Sequence, residues 1–122
     1  MINFMKKNDC VFCQKPKNEW ILKNQLAAAF WDINPVNPGH LLIISQEHHS
    51  NYFDLSAAEL IAVNQLLKKA KLFLDRKYHP DGYNILINNG HFGGQSIMHC
   101  HIHLIPRYKN DGLFMPKNKS LK

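Results

Sequence analysis

Nowhere in the chain do about 18 apolar residues follow one another, which argues against a membrane-spanning helix. The opening stretch MINFMKKNDC lacks both an uninterrupted apolar core and a small-residue cleavage site, so no signal peptide is expected and the expected location is the cytoplasm. Cysteine is scarce and odd in number. Cys10, Cys13 and Cys100 argue against a disulfide framework and leave metal or redox chemistry open for the closely spaced Cys10 and Cys13. Acidic residues are also few, 9 against 15 Lys and Arg, and the net charge of +6 favours anionic ligands without predicting a specific nucleic-acid partner. Part of that charge, Lys117, Lys119 and Lys122, lies in a basic tail over residues 109–122 that reads as a solvated terminus. No repeat, low-complexity tract or linker divides the 122 residues. One domain is expected over residues 1–122, its core at about 10–108.

What is present is strongly patterned. EWILKN and LAAAFWDIN read as short strands, NPVNPGH as a turn-rich loop and HLLIIS as a buried strand. Ser56 and Glu59 have the spacing of a capping box, and Leu60, Val63, Leu67, Ala70 and Leu74 follow at steps of three and four. A long helix is therefore expected from about Ser56 to Tyr78, stopped by HPDG at 79–82. GYNILINNG returns as a strand, and the loop NNGHFGGQS leads into MHCHIHLI at 98–105. The class is α+β, with an antiparallel sheet and one main helix.

In MHCHIHLI, strict alternation puts His99, His101 and His103 on one face of a strand and Cys100, Ile102 and Leu104 on the other. A helix would scatter the three rings by about 200° steps. With a rise of about 3.3 Å per residue the outer two histidines stand roughly 13 Å apart, too far to share one zinc ion at about 2.0–2.1 Å from each nitrogen. Three unpartnered ring nitrogens in a core would cost on the order of a few kcal/mol each, so a shared functional site is the better reading.

The preceding Gly93, Gly94, Gln95 and Ser96 can bring backbone N–H groups and a hydroxyl close to an anion such as phosphate. Imidazole, with a reference pKa near 6.5, is largely neutral and nucleophilic at pH 7, and a phosphorus–nitrogen intermediate is open to attack by water. The central histidine is the natural nucleophile, and a flanking ring can donate to the phosphate or leaving group. The residues alone do not say which flank does so.

The run from Gly94 to Arg107, GQSIMHCHIHLIPR, resembles the signature of the histidine triad (HIT) superfamily. Asp9 to Cys13, Phe30-Trp31-Asp32, Pro38-Gly39-His40 and Asn88 extend the resemblance over about Cys10 to Tyr108. It implies a HIT-like fold, with a five-stranded antiparallel sheet, one long helix and a short N-terminal helical segment. It further implies a homodimeric hydrolase or transferase that cleaves a phosphoanhydride or phosphoramidate at the α-phosphate of a purine nucleotide, through a nucleotidyl-histidine intermediate. Carried over by position, His101 is the nucleophile, and His103, Gln95, Asn88 and Ser96 contact phosphate or the bridging oxygen. Asp32 accepts from ribose hydroxyls, while Ile33, Phe30 and Leu41 are candidates for the base pocket. His40 lies near the site without a catalytic assignment. Dinucleoside polyphosphate hydrolase, phosphoramidase, nucleotidyl transferase or phosphorylase, and non-catalytic nucleotide binder are the readings left open.

Cys10 and Cys13 form a short chelate loop of the tetrahedral zinc type that needs two further ligands. The same resemblance points to His48 and His99, with His49 as a possible substitute for His48, and to a structural zinc.

Overall fold

The computed structural model describes residues 4–112; the basic stretch at 113–122, with Lys117, Lys119 and Lys122, lies outside the described residues. Five strands form one antiparallel sheet: β1 (Leu22–Lys23), β2 (Ala27–Trp31), β3 (Leu41–Ser45), β4 (Gly82–Ile87) and β5 (His101–Arg107), in the order β1-β2-β3-β5-β4. A single long helix, α1 (Ala57–Tyr78), connects β3 to β4. The N-terminal helical segment is one 3-10 turn at Lys17–Glu19, entered from Pro16. Among the described residues no helix is long and apolar enough to cross a membrane.

Period-two alternation sorts the sheet into two faces. Ala27 and Ala29 of β2, Leu41 and Ile43 of β3, and Ile102 and Leu104 of β5 pack with Cys100 against Ala62, Val63, Leu66, Ala70 and Leu74 of α1. On the other face Ala28, Phe30, Leu42 and Ile44 gather with Cys10, Phe12 and Cys13. The cross-strand partners of Leu42 and Ile44 are His103 and His101, which places both imidazoles on this second, helix-free face.

The helix begins as its capping box requires. Ser56 Oγ accepts from the Glu59 amide at 3.1 Å and Glu59 Oε1 accepts from the Ser56 amide at 2.8 Å. Its buried stripe runs a little to one side of the expected one: Leu60 and Leu67 are only partly buried, and Ala62 and Leu66 take the central line beside Val63, Ala70 and Leu74. Steps of three and four from Val63 and Ala70 allow either Leu66 or Leu67, and the packing of α1 on the sheet selects Leu66.

The histidine strand also starts later than expected, at His101 rather than residue 98. Cys100 donates to the His49 carbonyl at 2.7 Å and the His99 carbonyl is taken by the ring of His101, so the backbone there is satisfied outside the sheet ladder.

At the turn into β3, Gly39 has φ +91°, and an added Cβ would stand 2.9 Å from Tyr78 Cδ2 and 3.1 Å from Pro106 Cγ. Only glycine fits that crossing of the β2–β3 loop, the helix end and β5.

Candidate functional site

Beneath the second face lies a cleft of about 270 Å³, its walls formed by Phe12, Phe30, Leu42 and Ile97, with His101, His103, Asp32 and Ser96 in its lining. Phe12 meets Phe30 edge-on at 5.3 Å and His101 at 5.1 Å between ring centroids, so one of the two residues between the cysteines forms part of the wall beside the central histidine. His101 and His103 are 5.0 Å apart between centroids.

The hydrogen bonds determine which ring nitrogens carry protons. His101 Nδ1 lies 2.8 Å from the His99 carbonyl, which can only accept, so Nδ1 is protonated and the lone pair of the neutral ring sits on Nε2. His40 Nδ1 accepts from the Val36 amide at 3.0 Å; its proton therefore belongs on Nε2, 2.9 Å from His103 Nδ1 and 3.3 Å from Asp32 Oδ2. With the His40 Nε2–H donating to His103 Nδ1, the neutral His103 ring carries its own N–H on Nε2. Burial, with the neighbouring His101 and His40, holds the His103 pKa down at about 4 against the partial opposition of Asp32, and burial likewise lowers that of His40. The arrangement offers one imidazole with a free Nε2 lone pair and, beside it, one with an Nε2–H donor.

The residues named from the sequence are only partly gathered here. Asp32 lines the cleft, its Oδ1 accepting from the Asn34 amide at 2.9 Å and its Oδ2 facing His40 and His103. Ser96, Ile33 and Phe30 line it as well.

Leu41 corrects the base-pocket expectation. It is fully buried in the helix-side core, and its neighbour Leu42 lines the cleft, because adjacent strand residues face opposite ways.

Gln95 is a second correction. Its Nε2 donates to the carbonyls of Ser50 at 2.6 Å and Ile97 at 2.9 Å, and its Oε1 accepts from the Gly90 amide at 2.8 Å. Both amide hydrogens are committed to holding the glycine loop, so the side chain anchors that loop and is not among the cleft lining. Asn88 packs under the same loop, 3.4 Å from the Gly94 carbonyl, and is also outside the lining. Gly94, with φ +90°, turns the loop directly over it.

Phe12, Leu42, Ile97 and Lys15 are cleft residues that sequence reasoning missed. Lys15 lies over the Phe30 ring at 4.7 Å from its centroid. Nothing in local pattern marks Phe12 or Lys15, beyond their closeness to Cys13.

A second group of ligating side chains adjoins the cleft. Cys10 Sγ is 3.3 Å and Cys13 Sγ 3.4 Å from His99 Nδ1, and Cys13 Sγ is 3.2 Å from His48 Nδ1; the four donor atoms all lie within 4.8 Å of one another. His99 Nε2 faces the Ser45 carbonyl at 2.8 Å, which puts the proton there and turns the Nδ1 lone pair toward the sulfurs, the usual support for a metal-bound imidazole. His48 Nε2 is buried with no hydrogen-bond partner among the described residues. Burial pushes the Cys10 thiol up to about 11, so a thiolate there calls for a nearby cation. His49 turns away from this group, toward Glu59 and Glu47.

Residues 14–110 match the model of the HIT domain family. An uncharacterized HIT-like protein of Methanocaldococcus jannaschii is 37% identical over 107 residues, covering 84% of this chain and 82% of that protein. An adenosine 5'-monophosphoramidase of Schizosaccharomyces pombe is 33% identical over 102 residues, covering 80% and 74%. Among solved structures, a HIT family protein of Bacillus anthracis superposes with a TM-score of 0.82 at 31% identity, covering 93% of this chain and 83% of that one. The diadenosine triphosphate hydrolase of Plasmodium falciparum gives 0.76 at 30%, with 80% and 66% covered. A zinc-bound histidine triad protein of Mycobacterium smegmatis gives 0.77 at 26%, with 92% and 84% covered.

Proposed function

The chain belongs to the HIT domain family, and from that premise we propose that it hydrolyses an adenine nucleotide at its α-phosphate, cleaving a phosphoanhydride or phosphoramidate bond by way of a nucleotidyl-His101 intermediate. The observation that carries this reading is the contact between His101 Nδ1 and the His99 carbonyl, which leaves the Nε2 lone pair for phosphorus. His101 Nε2 attacks; a phosphorus–nitrogen bond forms as the bond to the leaving group breaks. His103 Nε2–H donates to the leaving atom or a phosphate oxygen, stabilising the charge that develops there. Water then attacks phosphorus and gives up a proton to bulk solvent, the bond to His101 breaks with its electron pair returning to Nε2, and the nucleoside monophosphate departs. Ser96 supports the phosphate, Asp32 the ribose hydroxyls, and Phe30, Leu42 and Ile33 the base.

Both bond types have support among the relatives, one named a monophosphoramidase and one a diadenosine triphosphate hydrolase. A panel of adenosine phosphoramidates, diadenosine tri- and tetraphosphate and sugar nucleotides, run with wild type and His101→Ala, tests the proposal. Hydrolysis of at least one class is expected, with loss of several orders of magnitude in the variant and nucleotide affinity nearly kept. Near-wild-type turnover by His101→Ala would sink the covalent role. Products formed only when phosphate or a hexose phosphate is added would identify a transferase instead.

The donor set Cys10, Cys13, His48 and His99 supports a zinc ion, and one structural relative is zinc-bound. With four protein ligands such an ion is structural, clipping the N-terminal segment to the sheet, and the cysteines would be held as thiolates. A homodimer is also part of this reading. Among the described residues β4 pairs only with β5, and Ile85 and Leu86 are exposed along the free edge, where a second copy can extend the sheet.

A further inference from the structure

His48 and His49 are adjacent but serve opposite sides of the segment that follows β3. On the side away from the cysteines, His49 Nε2 stands 3.0 Å from Glu59 Oε2 and 3.5 Å from Glu47 Oε2. The three donor atoms all lie within 4.8 Å of one another. Glu59 is buried, and its Oε1 is held by the Ser56 amide at the helix start, so its Oε2 is aimed at the imidazole. The backbone of His49 is held too, its carbonyl accepting from Cys100 at 2.7 Å. The three side chains line a cleft of about 340 Å³ that also has the Asp54 carboxylate in its lining.

We propose that Glu47, His49 and Glu59 form a second metal site, separate from the cysteine cluster and from the histidine cleft, for a divalent first-row cation of the Mn²⁺ type. An ion bonded at about 2.1 Å holds neighbouring ligand atoms roughly 3.0 Å apart in octahedral and 3.4 Å apart in tetrahedral geometry. The His49–Glu59 separation of 3.0 Å has the octahedral value, and Glu47, at 3.5 Å on a part-exposed side chain, reaches it by a shift of about half an ångström. Two carboxylates with a neutral imidazole supply two negative charges, and three protein ligands leave positions for water. One nitrogen and two oxygens make a harder donor set than two thiolates and two imidazoles, so this site accepts Mn²⁺ where the cysteine cluster selects a softer ion. Its occupation would tie the segment after β3 to the first turn of α1. It would also brace, through the His49 carbonyl, the backbone of Cys100 between the first two histidines of the triad.

The test is Mn²⁺ uptake by the full chain after chelator treatment, read by electron paramagnetic resonance of the free ion. About one Mn²⁺ per chain is expected, its affinity falling at least about tenfold in Glu47→Gln and in His49→Ala. Glu59→Gln should act likewise while keeping an oxygen for the Ser56 amide, so helix capping is preserved. Cys10→Ser and Asp32→Asn should leave uptake unchanged, which separates this site from the two other clusters. Absence of stoichiometric uptake, or uptake indifferent to Glu47→Gln and His49→Ala, would overturn the proposal and leave the three groups as an imidazole–carboxylate ion-pair network.

Discussion

His40 Nε2 lies 2.9 Å from His103 Nδ1, and the Val36 amide on the far side of the His40 ring leaves Nε2 as the only nitrogen of the neutral ring able to carry the proton. His40 is thereby a positioning residue for His103. His40→Ala should lower kcat roughly ten- to hundredfold with little change in nucleotide affinity, since the lost effect concerns the donor used in the transition state. His40→Gln, whose amide N–H can stand near the lost Nε2–H, should recover part of it. Steady-state kinetics with a separate binding measurement decides; equal losses in binding and in kcat would contradict the positioning role.

Stability should depend on pH through His103. Its pKa is held at about 4 in the folded chain, against an ordinary value of 6.5. Between these values the unfolded chain binds more protons, so stability rises with pH through that window. The contribution is complete above about pH 6.5 and is lost as the pH falls toward 4. A drop in melting temperature of about 5 °C or more is expected on acidification across that range, and His103→Asn should flatten the slope. Melting curves at fixed ionic strength measure both.

Chelation should lower the melting temperature if the four-ligand zinc is present, because its binding free energy is also folding free energy. Cys10→Ser and His48→Ala should each lose the ion and most of that stability. His101→Ala should retain both, its Nδ1 being engaged with the His99 carbonyl and its ring lining the cleft. Elemental analysis of protein purified without added metal or a histidine tag gives the stoichiometry; well below one zinc per chain with no melting shift would mean ordinary thiols.

The exposed edge of β4 yields a prediction about assembly. Ile85 is 57% and Leu86 46% exposed, and a lysine at either position places a charge where a second sheet edge would pair. Leu86→Lys should convert a dimer to a monomer by light scattering while leaving the far-UV spectrum unchanged. A wild-type chain that already runs as a monomer would remove the dimer from the functional reading.

Much of the architecture is legible along the chain because it rests on rules that act over a few residues. Ser56 and Glu59 announce the helix start, and alternation at 101–104 assigns His101 and His103 to one face and Ile102 and Leu104 to the other. Where local rules failed, a contact distant in sequence had taken over. Gln95 looks like a phosphate ligand beside Ser96, yet its amide is spent on Ser50, 45 residues away. Leu41 and Leu42 are chemically identical, and only the packing of α1 on one face of the sheet decides which of them reaches the cleft.

By itself the sequence determined that three histidines alternate behind a glycine loop, that Cys10 and Cys13 form a chelate pair, and that strands flank one capped helix. Tertiary structure alone decided how those parts are used. It brought Cys10 to His99 across 89 positions and Cys13 to His48 across 35, and it turned His49 toward Glu59 instead. It also selected the protonated nitrogen of each ring, through a carbonyl at His101 and through Val36 and His40 at His103. The reason is physical: side-chain alternation and capping follow from backbone geometry over one to four residues. A ring's partner and proton depend instead on which distant backbone group packing delivers within about 3 Å of it.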